Sequence, residues 1–132
     1  MTRGRGRPRR AGTDEEILAV ALEMLREKGY RDLNVDDIAE RLGIAKTTIY
    51  RRWPAKGALV AAALEPLATK DDEDLATVLR DATAMFQLIA DADDVAVLRA
   101  VVASQRPRIR RFVDSDFSAD MIIGALVTRV LI

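Results

Sequence analysis

The residues best suited to chemistry lie in one short run, Lys46-Thr47-Thr48-Ile49-Tyr50-Arg51, with Lys56 close behind. Lys and Arg neutralise phosphates or reach guanine edges, Thr bonds a phosphate or touches a thymine methyl, and Tyr bonds a phosphate. Gathered on one short helix, these types suit the surface of a nucleic-acid duplex better than a catalytic centre. Catalysis finds little material elsewhere. The 132 residues include no Cys and no His. That removes disulfides, Cys nucleophiles, zinc sites of the Cys/His kind and His acid–base chemistry. No nucleophile–base pair, metal set or phosphate loop is visible, so the expectation is a protein that is not an enzyme and takes no cofactor or metal.

Charge distribution agrees with a polyanion partner for one half of the chain. The formal net charge is zero, but residues 1–60 carry 13 Lys/Arg against 9 Asp/Glu, a balance of +4. Residues 61–132 carry 8 against 12, a balance of −4. Five of the basic residues, Arg3, Arg5, Arg7, Arg9 and Arg10, fall in residues 1–12, which read as a disordered basic arm. Within it, Arg5-Gly6-Arg7-Pro8 resembles the core of an AT-hook, whose narrow backbone can lie in an A·T-rich minor groove. An Arg-rich arm is equally often a solvated tail or a general electrostatic anchor, and both readings stand.

The elements that must position the Lys46–Arg51 run are helical. Hydrophobic residues make up 49% and charged residues 32%, a soluble globular composition with no run long enough to cross roughly 30 Å of hydrocarbon. No secretory signal opens the chain, and the expected setting is the cytoplasm. Thr13-Asp14-Glu15-Glu16 predicts a capping box, and Ile17, Val20, Ala21, Met24 and Leu25 recur at helical spacing up to Gly29. Asn34 caps a second helix carrying Val35, Ile38, Ala39 and Leu42, with Asp37 as a weaker box partner. Gly43 ends it, and a third helix follows at once. Pro54 is expected at the first position of a fourth helix that runs to about Pro66 or Ala68. Leu75, Val78, Leu79, Ala82, Phe86 and Ile89 predict a strongly amphipathic fifth helix after an acidic connection at 69–74. The acids at 91–94 read as a solvated turn and cap. Val95–Ser104 reads as a helix broken by Gln105-Arg106-Pro107. Asp114–Ser118 is a second break, and Ala119–Ile132 a last helix that is apolar on nearly every side. No alternating strand pattern occurs, so the fold class is all-α.

The second and third helices, with Gly43 between them, form a helix-turn-helix. Ala39 is small where the two cross, Ile44 and Ile49 plug the space beneath, and the third helix projects Lys46, Thr47, Thr48, Tyr50 and Arg51. Tyr50 is free to face outward because Ile49 and Trp53 take the inward positions. Either Arg51 or Arg52 can instead pair with Asp36, Asp37 or Glu40; Arg51 is favoured for DNA. The segments Gly29-Tyr30-Arg31-Asp32-Leu33-Asn34-Val35-Asp36-Asp37-Ile38-Ala39 and Leu42-Gly43-Ile44-Ala45-Lys46-Thr47-Thr48-Ile49-Tyr50-Arg51-Arg52-Trp53-Pro54-Ala55-Lys56 resemble the N-terminal domain of the TetR (tetracycline-repressor) family over about residues 13–65.

The resemblance implies three segments: the arm at 1–12, a three-helix helix-turn-helix DNA-binding domain at 13–66, and a helical C-terminal regulatory and dimerisation region at 67–132. It implies a homodimeric repressor on a palindromic double-stranded operator, released by a small hydrophobic effector. Lys46, Thr47 and Thr48 match the family's base- and phosphate-facing positions, Tyr50 and Lys56 its phosphate contacts, and Arg51 a further groove contact. Asn34 matches a capping position that touches phosphate, and Trp53 a buried structural aromatic. Arg5 and Arg7 of the arm join the DNA-binding set. Candidate effector-lining residues are Met85, Phe86, Ile89, Leu98 and Val102, which would equally serve as core. Three departures stand out. Ala45 replaces a capping Ser, at a cost of roughly 0.5–2 kcal/mol. Gly57 replaces a common Glu and is expected to weaken its helix by about 1 kcal/mol. The C-terminal half looks shortened against family members, which leaves an alternative: a partner that pairs with a full-length regulator through Ala119–Ile132 without sensing a ligand.

Overall fold

The computed structural model describes residues 13–68 and 74–132. The Arg3–Arg10 arm, with Arg5 and Arg7, and most of the acidic connection at 69–74 lie outside the described residues. Among those described there are seven α-helices and no strand: α1 (Asp14–Asp32), α2 (Val35–Leu42), α3 (Lys46–Arg52), α4 (Lys56–Leu64), α5 (Leu75–Leu88), α6 (Val95–Arg110) and α7 (Asp116–Leu131). A 3₁₀ turn, Glu65–Ala68, prolongs α4. Among the described residues, no helix is long and apolar enough to cross a membrane.

Local chemistry starts most of these helices where their caps predict. The Thr13 hydroxyl accepts from the Glu16 amide at 3.2 Å and donates to the Glu16 carboxylate at 2.9 Å, closing the first turn of α1. Asn34 caps α2 by accepting from the Asp36 amide. Its expected box partner, Asp37, turns away and pairs with Lys28 at 3.3 Å instead. Asp74 and Asp94 cap α5 and α6, and Ser115 caps α7. Gly43 ends α2 in the left-handed conformation at φ 68°, where its own amide and that of Ile44 bond back to Glu40 and Ala39.

Packing places the amphipathic stripes on one contiguous core. Ile17, Ala21, Met24 and Leu25 of α1 meet Leu59, Val60, Ala63 and Leu64 of α4, which in turn meets α6. Val78, Ala82, Met85, Phe86 and Ile89 bury the inner stripe of α5 against α6 and α7. The pair α2–α3 packs on α1 through Val35, Ile38, Ala39 and Ile49.

Four boundaries differ from the sequence expectation. Pro54 precedes α4 in a bend, and the helix begins two residues later at Lys56. The α1 ladder is interrupted at Gly29 (φ 82°, ψ 176°), after which one more helical turn runs to Asp32. The α7 helix begins at Asp116, earlier than Ala119, because Ser115 supplies the cap. Most informative is α6, which passes straight through Pro107. The proline removes one backbone bond and costs about 3 kcal/mol in a helix interior. Burial of Gln105, Arg108 and Ile109 holds the final turn against α5 and α7 in compensation.

Candidate nucleic-acid interface

The third helix sits on the molecule as a short rod held from beneath. Ile49 is 0% exposed, Ile44 and Trp53 pack partly buried against the core, and Ala39 lets the two helices close. That leaves the other side of α3 in solvent: Lys46, Thr47, Tyr50 and Arg51 are exposed and Thr48 is half-buried, with the Tyr50 ring 41% accessible. An exposed tyrosine on a seven-residue helix satisfies no core requirement. Ala45 leaves the first turn of α3 without a side-chain cap.

Few of these groups are engaged within the fold. Thr47, Tyr50 and Arg51 have no side-chain hydrogen bond or ion pair among the described residues. Lys46 approaches Asp36 at 3.5 Å, but both side chains are more than half exposed, so the pair is weak and readily exchanged. Arg52 takes a different direction: it pairs with Asp14 at 2.6 Å, and not with Asp36, Asp37 or Glu40. Arg41 ties α2 to α1 through Glu23 at 2.8 Å and Glu27 at 3.5 Å. Asn34 is exposed at the head of α2.

Lys56 stands apart from this group. Its ammonium donates to the carbonyls of Tyr30 (2.7 Å), Leu33 (3.1 Å) and Arg31 (3.4 Å), and lies 4.3 Å above the Tyr30 ring. An ammonium has three donors, and all three are directed at the end of α1. The cation also sits favourably at that helix terminus.

The candidate effector residues divide. Phe86 and Ile89 are fully packed core, and Leu98 and Val102 pack against it. Met85 alone of the five also lines a described groove, of about 390 Å³, with Arg26, Leu67, Asp81, Ala84, Gln87 and Leu88. Beneath it lies a polar set that periodicity did not reveal: fully buried Gln105 donates to the Met85 sulfur and accepts from Arg108, which pairs with Asp81 at 3.6 Å.

Gly57, Asp91 and Asp94 do more than the sequence suggests. Gly57 is no mere weak point in α4. A Cβ at that position would lie 2.4 Å from the Asp94 carboxylate, so the close approach demands glycine. The acids at 91–94 are not simply a solvated turn, because Asp91 accepts from the Tyr30 and Arg31 amides and Asp94 from the Tyr30 hydroxyl. Neither contact has a signal in the sequence, since the partners lie 60 or more residues apart.

Comparison with known proteins converges on the same segment. Residues 17–63 match the family described as bacterial regulatory proteins, tetR family. The chain is 47% identical over 60 residues to the uncharacterized HTH-type transcriptional regulator YdeS of Bacillus subtilis, a match over 46% of this chain and 30% of the relative. It is 50% identical over 50 residues to the uncharacterized HTH-type transcriptional regulator Mb1581 of Mycobacterium bovis, over 38% of this chain and 25% of the relative. To the HTH-type transcriptional regulator EthR of Mycolicibacterium smegmatis it is 38% identical over 72 residues, 53% of this chain and 33% of the relative. The chain thus spans a third or less of the length of these three curated relatives. No solved structure matches it significantly. The Gly43 turn and the exposed Lys46–Arg51 face of the third helix both lie within the segment, residues 17–63, that is similar to the tetR family of bacterial regulatory proteins.

Proposed function

We propose that this chain regulates transcription by binding double-stranded DNA through α2 and α3, as a cytoplasmic repressor. The observation that carries the reading is the outward face of α3, where Thr47, Tyr50 and Arg51 stay exposed and unengaged while Ile49 anchors the helix from below. Lys46, Thr47 and Thr48 enter the major groove and select bases; Tyr50, Arg51 and Asn34 hold the flanking phosphates. Lys56 acts mainly through the turn it grips and presents that turn to the backbone. Arg5 and Arg7 follow the adjacent minor groove.

The protein works as a homodimer on a palindromic operator. The apolar side chains left exposed on α7, Phe117 (72%) and Met121 (61%), support pairing through the C-terminal helices. A small hydrophobic effector releases the DNA, and the groove beside Met85 is the candidate entry, with Phe86, Ile89, Leu98 and Val102 behind it. The same α7 face also supports the second reading, pairing with a full-length regulator; the native mass in isolation separates the two.

Selection of bound duplexes from a random pool tests the proposal. Two inverted half-sites separated by about one helical turn, roughly 34 Å, are expected. A pool that stays unenriched at low salt contradicts it.

A further inference from the structure

The short turn between α1 and α2 is gripped from three directions. At Gly29 the backbone adopts φ 82° and ψ 176°, which breaks the α1 ladder and turns the next two amides away from helical acceptors. Asp91, in the corner between α5 and α6, takes both: one carboxylate oxygen accepts from the Tyr30 amide at 2.9 Å and the other from the Arg31 amide at 3.1 Å. Lys56 collects the carbonyls of the same turn. Asp94 does two things at once. One oxygen caps α6 through the Ala96 amide at 2.9 Å, and the other accepts from the Tyr30 hydroxyl at 2.9 Å.

We propose that Asp91 and Asp94 are positioning residues that latch the α1–α2 turn to the first turn of α6, and so set where α2 and α3 sit relative to the C-terminal helices. Two glycines on separate elements make room for the two carboxylates. A Cβ on Gly29 would lie 3.1 Å from an Asp91 oxygen, and one on Gly57 would lie 2.4 Å from an Asp94 oxygen. A chance surface pairing would not require the absence of a side chain at both neighbours. The Tyr30 ring is 2% exposed, and burial, aided by the Asp94 bond, pushes its hydroxyl well above the usual tyrosine range, so it remains a donor at every working pH. The pair α2–α3 packs chiefly on α1 and on itself. The latch therefore ties the start of α6 to Tyr30 and Arg31, a few residues ahead of Asn34 at the head of α2, and so fixes α2–α3 relative to α6. The regulatory consequence rests on the DNA-binding reading; the mechanical claim does not.

The test uses the full chain, isotopically labelled, with residual dipolar couplings, amide exchange and titration of the selected duplex. In the unsubstituted protein the couplings of α2–α3 and of α5–α7 fit one alignment tensor. In Asp91→Ala the Tyr30 and Arg31 amides exchange about tenfold or more faster, the α2–α3 couplings depart from the tensor that fits α5–α7, and duplex affinity falls about fivefold to tenfold. Tyr30→Phe keeps the ring and removes only the hydroxyl donor to Asp94, so the couplings and the duplex affinity carry the test through it if Asp91→Ala does not fold. A lower melting temperature with all couplings still on one tensor, and affinity unchanged, would reduce the contact to local stabilisation and overturn the proposal. Failure of the unsubstituted protein to bind any duplex would instead overturn the DNA-binding reading, while the couplings still judge the latch.

Discussion

The outer face of α3 and the α1–α2 turn use nearly the same residue types to opposite ends. Each presents a tyrosine, a basic side chain and neighbouring acids. On α3, Tyr50 and Arg51 stand in solvent with no partner among the described residues, and Lys46 makes a single exposed pairing. At the turn, Tyr30 is buried, its hydroxyl is taken by Asp94, and the Lys56 ammonium is directed at three carbonyls. Polar groups already satisfied inside the fold stabilise it and have little left to offer a ligand. Exposed unsatisfied ones contribute almost nothing to stability and remain available for phosphate and base edges. The comparison separates residues engaged in holding the fold from residues left available to a ligand.

Substitutions can break that comparison. The largest expected effect is at Gly57. Replacing an ordinary helical glycine by alanine stabilises a protein by roughly 0.5–1 kcal/mol. Gly57→Ala is expected to reverse the sign and cost about 1–3 kcal/mol, because the new methyl group meets the Asp94 carboxylate. Urea midpoints decide it, and restoration of the normal gain in an Asp94→Ala background would locate the clash. Next comes a matched pair of cations. Lys56→Met is expected to lose about 1–2 kcal/mol of stability through its charge-assisted bonds, whereas Arg51→Met stays within about 0.5 kcal/mol of the parent. Equal losses in thermal unfolding would erase the distinction between the two regions.

Smaller effects sharpen the picture. Ala45→Ser supplies the cap that α3 lacks and is expected to add about 1 kcal/mol, read as a higher denaturation midpoint. The pH dependence is smaller still. Hydrogen bonds from Thr77 hold Asp74 below the usual carboxylate value, and the Arg106 bond does the same for Asp120. A carboxylate with a depressed folded pKa contributes stability that is fully present above its unfolded pKa, about 4, and is lost as pH falls through the lower folded value. Stability from these two groups is therefore expected to be flat from neutrality down to about pH 4 and to decline below it in an acid titration.

Much of this was legible in the residues themselves. Period and punctuation located α1, α2 and α5, because Ile17, Ile38, Val78 and Phe86 lie on stripes that only a helix gathers, and Gly43 sits where only a left-handed turn closes the motif. The outward α3 residues were legible for the same reason: once Ile49 takes the core, its neighbours must face out. What was not legible depended on chain segments far apart. Lys56 announced three donors but not which acceptors would meet them. Asp91 and Asp94 looked like turn residues because nothing nearby hints at Tyr30. Gly57 looked like a weak helix residue because its neighbour in space is at position 94. Pro107 looked like a stop because the compensating burial of Gln105, Arg108 and Ile109 is tertiary.

The central claim, that the Lys46–Arg51 face carries DNA, is tested most directly by the salt dependence of duplex binding for the unsubstituted chain and for Arg51→Ala. The unsubstituted chain should lose affinity steeply as salt rises. Arg51→Ala should bind more weakly with unchanged stability, and its log–log salt slope should be shallower by about one. Identical affinities and slopes for the two proteins would contradict the assignment of this face to DNA.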